Sequence, residues 1–216
     1  MDFSSAFSSE NLTFLMQGFY ITLKVALISI ILSFILGGAI GTLRFAKIPI
    51  LSKVLAIAVE SIRNLPLLLI ILFTYLALPE LGINLSKTGA AIVALTVFES
   101  AMLAEIVRGG LNSIEKGQME AARSSGLTYI QAMRFVILPQ ALRRMVPNLV
   151  SQFISLLKDT SLAVVIALPE LLHNARIIQA HNPQDTIPIF ITIAIMYFVV
   201  NYGLSLLAKR LELKTV

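Results

Sequence analysis

Apolar side chains fill this chain in five long runs, each near or above the roughly 20 residues that a helix needs to cross a bilayer core. They cover about residues 18–43, 54–78, 88–107, 146–168 and 187–208. A shorter apolar prelude over 12–17 is expected at the outer interface. The pattern predicts an all-α, polytopic membrane protein with five transmembrane helices and a single domain over 1–216. The first residues carry no basic segment, and the first run is longer than a signal-peptide core, so it reads as a retained span.

Lys and Arg at the ends of the runs give the orientation. Arg44, Lys47, Lys53, Arg108, Lys116, Arg123, Arg134, Arg143, Arg144, Lys209, Arg210 and Lys214 fall on one side, and only Lys87 and Arg176 fall opposite. Cationic flanks stay in the cytoplasm, which predicts an N-out, C-in topology. Composition agrees: 57% of residues are hydrophobic, 13% are charged and mean hydropathy is +0.86. A net charge of +5 could suggest nucleic acid, but the basic residues flank apolar runs instead of forming a patch. The chain has no cysteine, so disulfide and thiolate chemistry are excluded.

Polar residues inside the runs are the candidate chemistry. In the second run Glu60 and Arg63 are three apart and can form a structural ion pair. Asn64, Leu65 and Pro66 follow, and Pro66 removes a backbone donor. Such breaks are tolerated at membrane depth where they line a cavity, and in transporters they hold substrate. The third run carries Glu99 in mid-span, without a partner on its own helix. It is a candidate for the substrate path; binding to a neighbouring helix is the other reading. Glu105 and Arg108, near the inner end, are a second candidate ion pair.

Asn148, Gln152, Ser155 and Asp159 on the fourth run share one stripe at about 100° per residue, with Lys158 beside it. Lipid cannot satisfy that stripe, so it faces a translocation path or bonds to other helices. Gly37 and Gly41 suggest close helix packing, and Lys24 is expected to snorkel to the outer headgroups. The stretch 169–186 reads as an outer solvated loop. Its His173 and His181 are too poor in neighbouring ligands to argue for metal.

Between the third and fourth runs lies the longest stretch without a span, 115–148. Glu120, Ala121 and Ala122 belong to a short helix with small side chains that let another surface approach. Gly126 ends it as a left-handed cap, Thr128 and Gln131 form a capping box for a second helix, and Pro139 is expected to close that helix. A helix–Gly–helix unit on the cytoplasmic side looks like a docking knob for a soluble partner. Packing alone is the alternative.

"EAARSSG" followed by "ILPQA" resembles the coupling motif of bacterial ABC-importer permeases, at Glu120, Ala121, Ala122, Gly126, Leu138 and Pro139. "AEIVRGGLNSI" and "SLLKDTSL" resemble the polar amino-acid (histidine/glutamine permease) subfamily. The resemblance implies that 115–139 forms coupling helices seated in an ATPase. It also implies a second permease chain, identical or homologous, two ATPase subunits that bind ATP and magnesium, an extracytoplasmic substrate-binding protein and a place in the bacterial cytoplasmic membrane. The chain itself would need no cofactor, and Lys158 would be a candidate to meet a substrate carboxylate. No phosphate-binding loop, nucleophile elbow or metalloprotease helix occurs in the sequence, so no enzymatic site is read in it.

A cationic solute would call for a carboxylate facing its side chain. The amide of Gln152, in mid-stripe, points instead to glutamine or an acidic amino acid. A permease for a basic amino acid or cystine stays open, as does a membrane scaffold or sensor that docks an ATPase without moving solute.

Overall fold

The structure is a computed structural model and describes residues 7–213, so the basic residue Lys214 lies outside the described residues. The helices are α1 (Ser9–Phe45), α2 (Leu51–Arg63), α3 (Leu67–Leu72), α4 (Lys87–Asn112), α5 (Lys116–Ser124), α6 (Tyr129–Ala132), α7 (Leu138–Asp159), α8 (Leu171–His181) and α9 (Thr186–Leu213). A 3-10 segment, Thr160–Ile166, extends α7. No strand occurs among the described residues.

Four helical stretches are long and apolar enough to cross a membrane, and the bent pair Leu51–Arg63 and Leu67–Leu81 makes a fifth. Side-chain contacts fix their directions. Gly37 meets Leu103 and Gly41 meets Val107, so α1 and α4 run parallel. Glu99 meets Gln152 and Gly110 meets Met145, so α7 runs back. The alternation leaves the two ends of the described chain at opposite ends of the bundle.

The α1–α4 pair is the spine. Gly18, Thr22, Ala26, Ser29, Ser33, Gly37 and Gly41 recur every three or four residues and are buried on one face of α1. Gly18 meets Glu170 and Asn174, and Ala26 packs on Leu156 and Leu157 of α7, while Gly37 and Gly41 meet α4, whose Ala90, Ala91, Ala94, Ala101 and Ala104 are each no more than 2% exposed. A Cβ on Gly37 would lie 2.7 Å from the Leu103 Cβ, and one on Gly41 would lie 2.6 Å from the Ala104 carbonyl oxygen. Real Cβ atoms do not approach so closely, so backbone contact is possible only with glycine at these two positions. Lipid tails are as apolar as side chains, so such van der Waals contact, not hydrophobic transfer, holds spanning helices together. The outward faces carry the large apolar residues, such as Phe190, Ile195, Phe198 and Val199 on α9.

The structure refines four sequence expectations. The break expected at Pro66 is present, and α2 and the segment after it meet there at 100°. Pro66 cannot donate, Asn64 and Leu65 leave the helix, and the Asn64 carboxamide turns back to donate to the Glu60 carbonyl at 2.8 Å. Pro139 does not close a helix. A π-turn over Met133–Ile137 precedes it, with the Leu138 N–H donating to the Met133 carbonyl, so the ladder has already shifted when the proline ring arrives and α7 continues. The same device recurs over Phe73–Ala77 ahead of Leu78 and Pro79.

Residues 12–17 are not a separate prelude but the opening turns of α1. Finally, most of the stretch 169–186 is the helix α8, with Leu171, Asn174, Ala175 and Ile178 buried. Its apolar 3–4 spacing was present in the sequence, but the flanking polar residues masked it.

Candidate functional site

The polar stripe lies on α7, which packs antiparallel along α4. Gln152 donates from Nε2 to the Glu99 Oε2 at 3.1 Å, joining two residues 53 apart in sequence. Glu99 is 1% exposed, and its Oε1 has no hydrogen-bond partner. A carboxylate so buried among apolar helices is costly, and one amide donor offsets only part of that. Asp159, two turns further along α7, acts electrostatically on the same carboxylate. Gln152, Ser155 and Asp159 are half-buried, whereas Asn148 and Lys158 are exposed. The stripe therefore has one end anchored in the bundle and the other open.

Asn64, Leu65 and Pro66 are exposed at the break between α2 and α3. The Pro66 carbonyl accepts from the Leu69 N–H at 2.9 Å. Among the described residues no hydrogen bond or ion pair links this turn to Glu99 or to α7, so the structure does not bring the two candidate path elements together within one chain.

Glu60 and Arg63 pair at 3.3 Å. Glu105 pairs with Arg108, and also with Arg44 at 2.7 Å. The Arg44 contact, which ties the inner end of α1 to α4, was not anticipated. The sequence held only a cation at a helix end, and nothing in it sets the stagger between α1 and α4.

At that same end the docking stretch folds over the bundle. Gly126 has φ +89°, the left-handed region that glycine enters without strain. Thr128 and Gln131 form a reciprocal capping box. Ala122 is buried against the chain's own bundle, whereas Glu120 and Ala121 face outward. Only part of the small-residue face is thus available to a partner. The outward surface instead gains Tyr129, Ile130 and Phe135, at 53%, 76% and 64% exposure, with the Arg134 guanidinium 5.7 Å from the Phe135 ring centre. Exposed apolar residues rimmed by charge mark a contact with protein or membrane. Sequence reasoning missed it because these residues read as helix filler. Leu138 and Pro139 are exposed just beyond.

The opposite end holds a network absent from the sequence reading. Glu170 is 0% exposed and caps α8, accepting from the Leu172 and His173 N–H groups at 2.9 and 2.7 Å. The Tyr197 hydroxyl of α9 donates to it at 3.3 Å, and the Leu171 N–H donates to Thr22 Oγ1 of α1 at 3.2 Å. Burial pushes the Glu170 carboxyl up to about 7, against the lowering effect of its donors. Folding therefore takes up a proton between roughly pH 4.5 and 7, and stability falls as pH rises through that window. The unfolding midpoint in detergent should drop between pH 5 and pH 8, and Glu170→Gln should flatten that slope. An unchanged slope would show that the carboxyl does not titrate there.

Comparison with known proteins gives a consistent result. The family model described as "Binding-protein-dependent transport system inner membrane component" matches residues 29–216. A probable glutamine ABC transporter permease protein, GlnP, of Bacillus subtilis is 65% identical over 216 residues, covering 99% of each chain. A second from that organism, the probable glutamine ABC transporter permease protein GlnM, is 41% identical and covers 94% of this chain and 95% of its own. Among solved structures, one described as an amino acid ABC transporter with histidines superposes at a TM-score of 0.90, with 33% identity and 99% of both chains covered.

Proposed function

We propose, for a chain that belongs to the binding-protein-dependent transport system inner membrane component family, that it is the permease subunit of an ATP-driven importer whose solute is glutamine. The observation that carries the site is the buried Glu99 carboxylate met by the Gln152 carboxamide between α4 and α7. Every free amino acid brings an ammonium and a carboxylate. Glu99 and Asp159 suit the ammonium, Lys158 suits the carboxylate, and the amide of Gln152 suits a neutral polar side chain better than a cationic one. The 65% identity to a probable glutamine permease supports that choice. The exposed turn at Asn64, Leu65 and Pro66 contributes the second wall of the path.

Hydrolysis of ATP, with its magnesium, belongs to separate ATPase subunits. They dock at Glu120, Ala121, Gly126, Leu138 and Pro139 and on the apolar cluster beside them, with Ala122 supporting the knob from inside. A second permease chain encloses the path, an extracytoplasmic binding protein delivers the solute, and the knob faces the cytoplasm. Closure of the ATPases then moves the knob, and the spanning helices rock about a site near mid-membrane.

The complex reconstituted in vesicles with its ATPase and binding protein should take up labelled glutamine only when ATP is supplied on the ATPase side. Tighter stimulation of ATPase activity by arginine than by glutamine would remove the solute assignment. Glu120→Lys should lower ATP-driven uptake at least tenfold while the chain still inserts in the membrane. Full uptake by that variant would remove the docking assignment.

A further inference from the structure

The turn between α1 and α2 holds two of the three non-glycine residues with positive φ among the described residues. Lys47 has φ +53° and Ile50 has φ +68°, a region that bulky side chains rarely enter, and Ile50 is β-branched. A turn in water would favour Gly or Asn at such positions. Here Ile48, Ile50 and Leu51 are 40%, 76% and 39% exposed. The apolar surface continues along α2 through Val54 and Ile57, four and seven residues after Ile50 and both exposed.

Charge and depth indicate what covers it. No Asp or Glu occurs between Glu10 and Glu60. Lys47 and Lys53 are exposed, and neither makes an ion pair or side-chain hydrogen bond among the described residues. Arg44, by contrast, is held by Glu105. Lys47 follows that ion pair by three residues, about 5 Å further toward the cytoplasm at helical rise. The Ser52 hydroxyl donates to the Leu43 carbonyl at 3.1 Å, so α2 turns back beside α1. Val54 and Ile57 then lead toward the apolar core, where Val59 packs with Ala101 and Ala104. Free lysines beside exposed isoleucines at the inner end of a span are the pattern of an interfacial anchor.

We infer that the α1–α2 turn binds an anionic phospholipid of the cytoplasmic leaflet, with Lys47 and Lys53 on its headgroup phosphate and Ile50, Val54 and Ile57 against its acyl chains. Each lysine near an anionic surface favours it roughly fivefold, and less at high salt. A zwitterionic lipid brings its own cation to the same lysines and offsets that gain. A soluble anion would satisfy the lysines but leave the isoleucines in water. Lys47 also lines a cleft with Glu115, Lys116 and Glu120 at the start of α5, so the headgroup would lie beside the docking knob. The inference goes beyond the solute and ATPase assignments and does not depend on them.

A single fluorescent reporter gives the test. The chain has no tryptophan, so Ile50→Trp is the only one in the full chain. It is placed in mixed vesicles of phosphatidylcholine and phosphatidylglycerol, with the same mole fraction of brominated acyl chains on one lipid or the other. At low salt, brominated phosphatidylglycerol should quench about threefold more than brominated phosphatidylcholine, given two lysines at the headgroup. Lys47→Gln with Lys53→Gln in the same chain should bring the two to equality. Lys209→Gln with Arg210→Gln removes the same charge from the end of α9 and should leave the preference intact. Equal quenching by both lipids would overturn the inference, as would an equal loss in the α9 variant, which would make the attraction a bulk effect. Loss of the preference on adding inorganic phosphate would overturn the lipid as the source of the anion. A tryptophan that neither lipid quenches, but that shifts when the ATPase subunit is added, would assign the turn to protein instead.

Because a tryptophan in this turn can disturb folding, a second measurement uses the wild-type side chains. Native mass spectra of the chain, extracted with equal phosphatidylglycerol and phosphatidylethanolamine, should show the anionic lipid retained in preference. The Lys47→Gln, Lys53→Gln chain should retain both alike. Wild-type chain without that preference overturns the inference.

Discussion

Gly41→Leu is expected to abolish a stable bundle. The first added atom would already lie 2.6 Å from the Ala104 carbonyl oxygen and 2.8 Å from the Val107 Cβ. Neither is the tip of a flexible side chain, so the helices themselves must part. Parting them loses contacts along the whole α1–α4 seam, from Val25 against Ala90 and Ala91 to Arg44 against Glu105. Overpacking a core costs about 1–3 kcal/mol where repacking is possible and more where it is not. Gly38, one helix face away, has nothing within 4 Å of a built Cβ. Gly38→Leu is therefore the control. Thermal unfolding and monodispersity in detergent should collapse for the first variant and stay unchanged for the second. Equal behaviour of the two would mean that the seam is not the close contact described.

Gln152→Leu should have the second large effect. It keeps the side chain's size but removes the only hydrogen-bond donor to Glu99 among the described residues. Stripping the hydrogen-bond partner from a buried polar group costs about 1–3 kcal/mol, and more when the group is charged. In either case the solute meets an altered carboxylate, and glutamine uptake should fall at least tenfold with little change in membrane content. Gln152→Glu is the informative companion. It sets a second acid beside Glu99 and should raise the uptake of arginine relative to glutamine. If Gln152→Leu transports glutamine normally, the contact is packing and the site lies elsewhere.

Much of this architecture could be read from one-dimensional pattern. The five apolar passes follow from run length, because a bilayer imposes its thickness on any sequence that crosses it. The turn at Gly126 and the cap at Thr128 and Gln131 were legible because backbone conformation there depends on residues within one turn. The break at Pro66 was legible for the same reason, although its angle was not. Pro139 shows the limit of local rules. A missing N–H can end a helix or be absorbed by a π-turn, and the choice depends on whether neighbouring helices hold the chain in line. Here Ala132, Ile137 and Ala141 are buried against the bundle and keep it straight.

The sequence by itself determined that the chain crosses a bilayer, how often, which end carries the basic flanks, and which polar residues must explain themselves there. Tertiary structure alone decided their partners. Gln152 reaches Glu99, Arg44 reaches Glu105, and Glu170 gathers Tyr197 while the next backbone N–H bonds Thr22, because glycines on α1 and Gly110 against Met145 on α7 fix how far each helix slides and turns against α4. Periodicity gives the face of a helix, but only contact gives the rotation and stagger at which two faces meet.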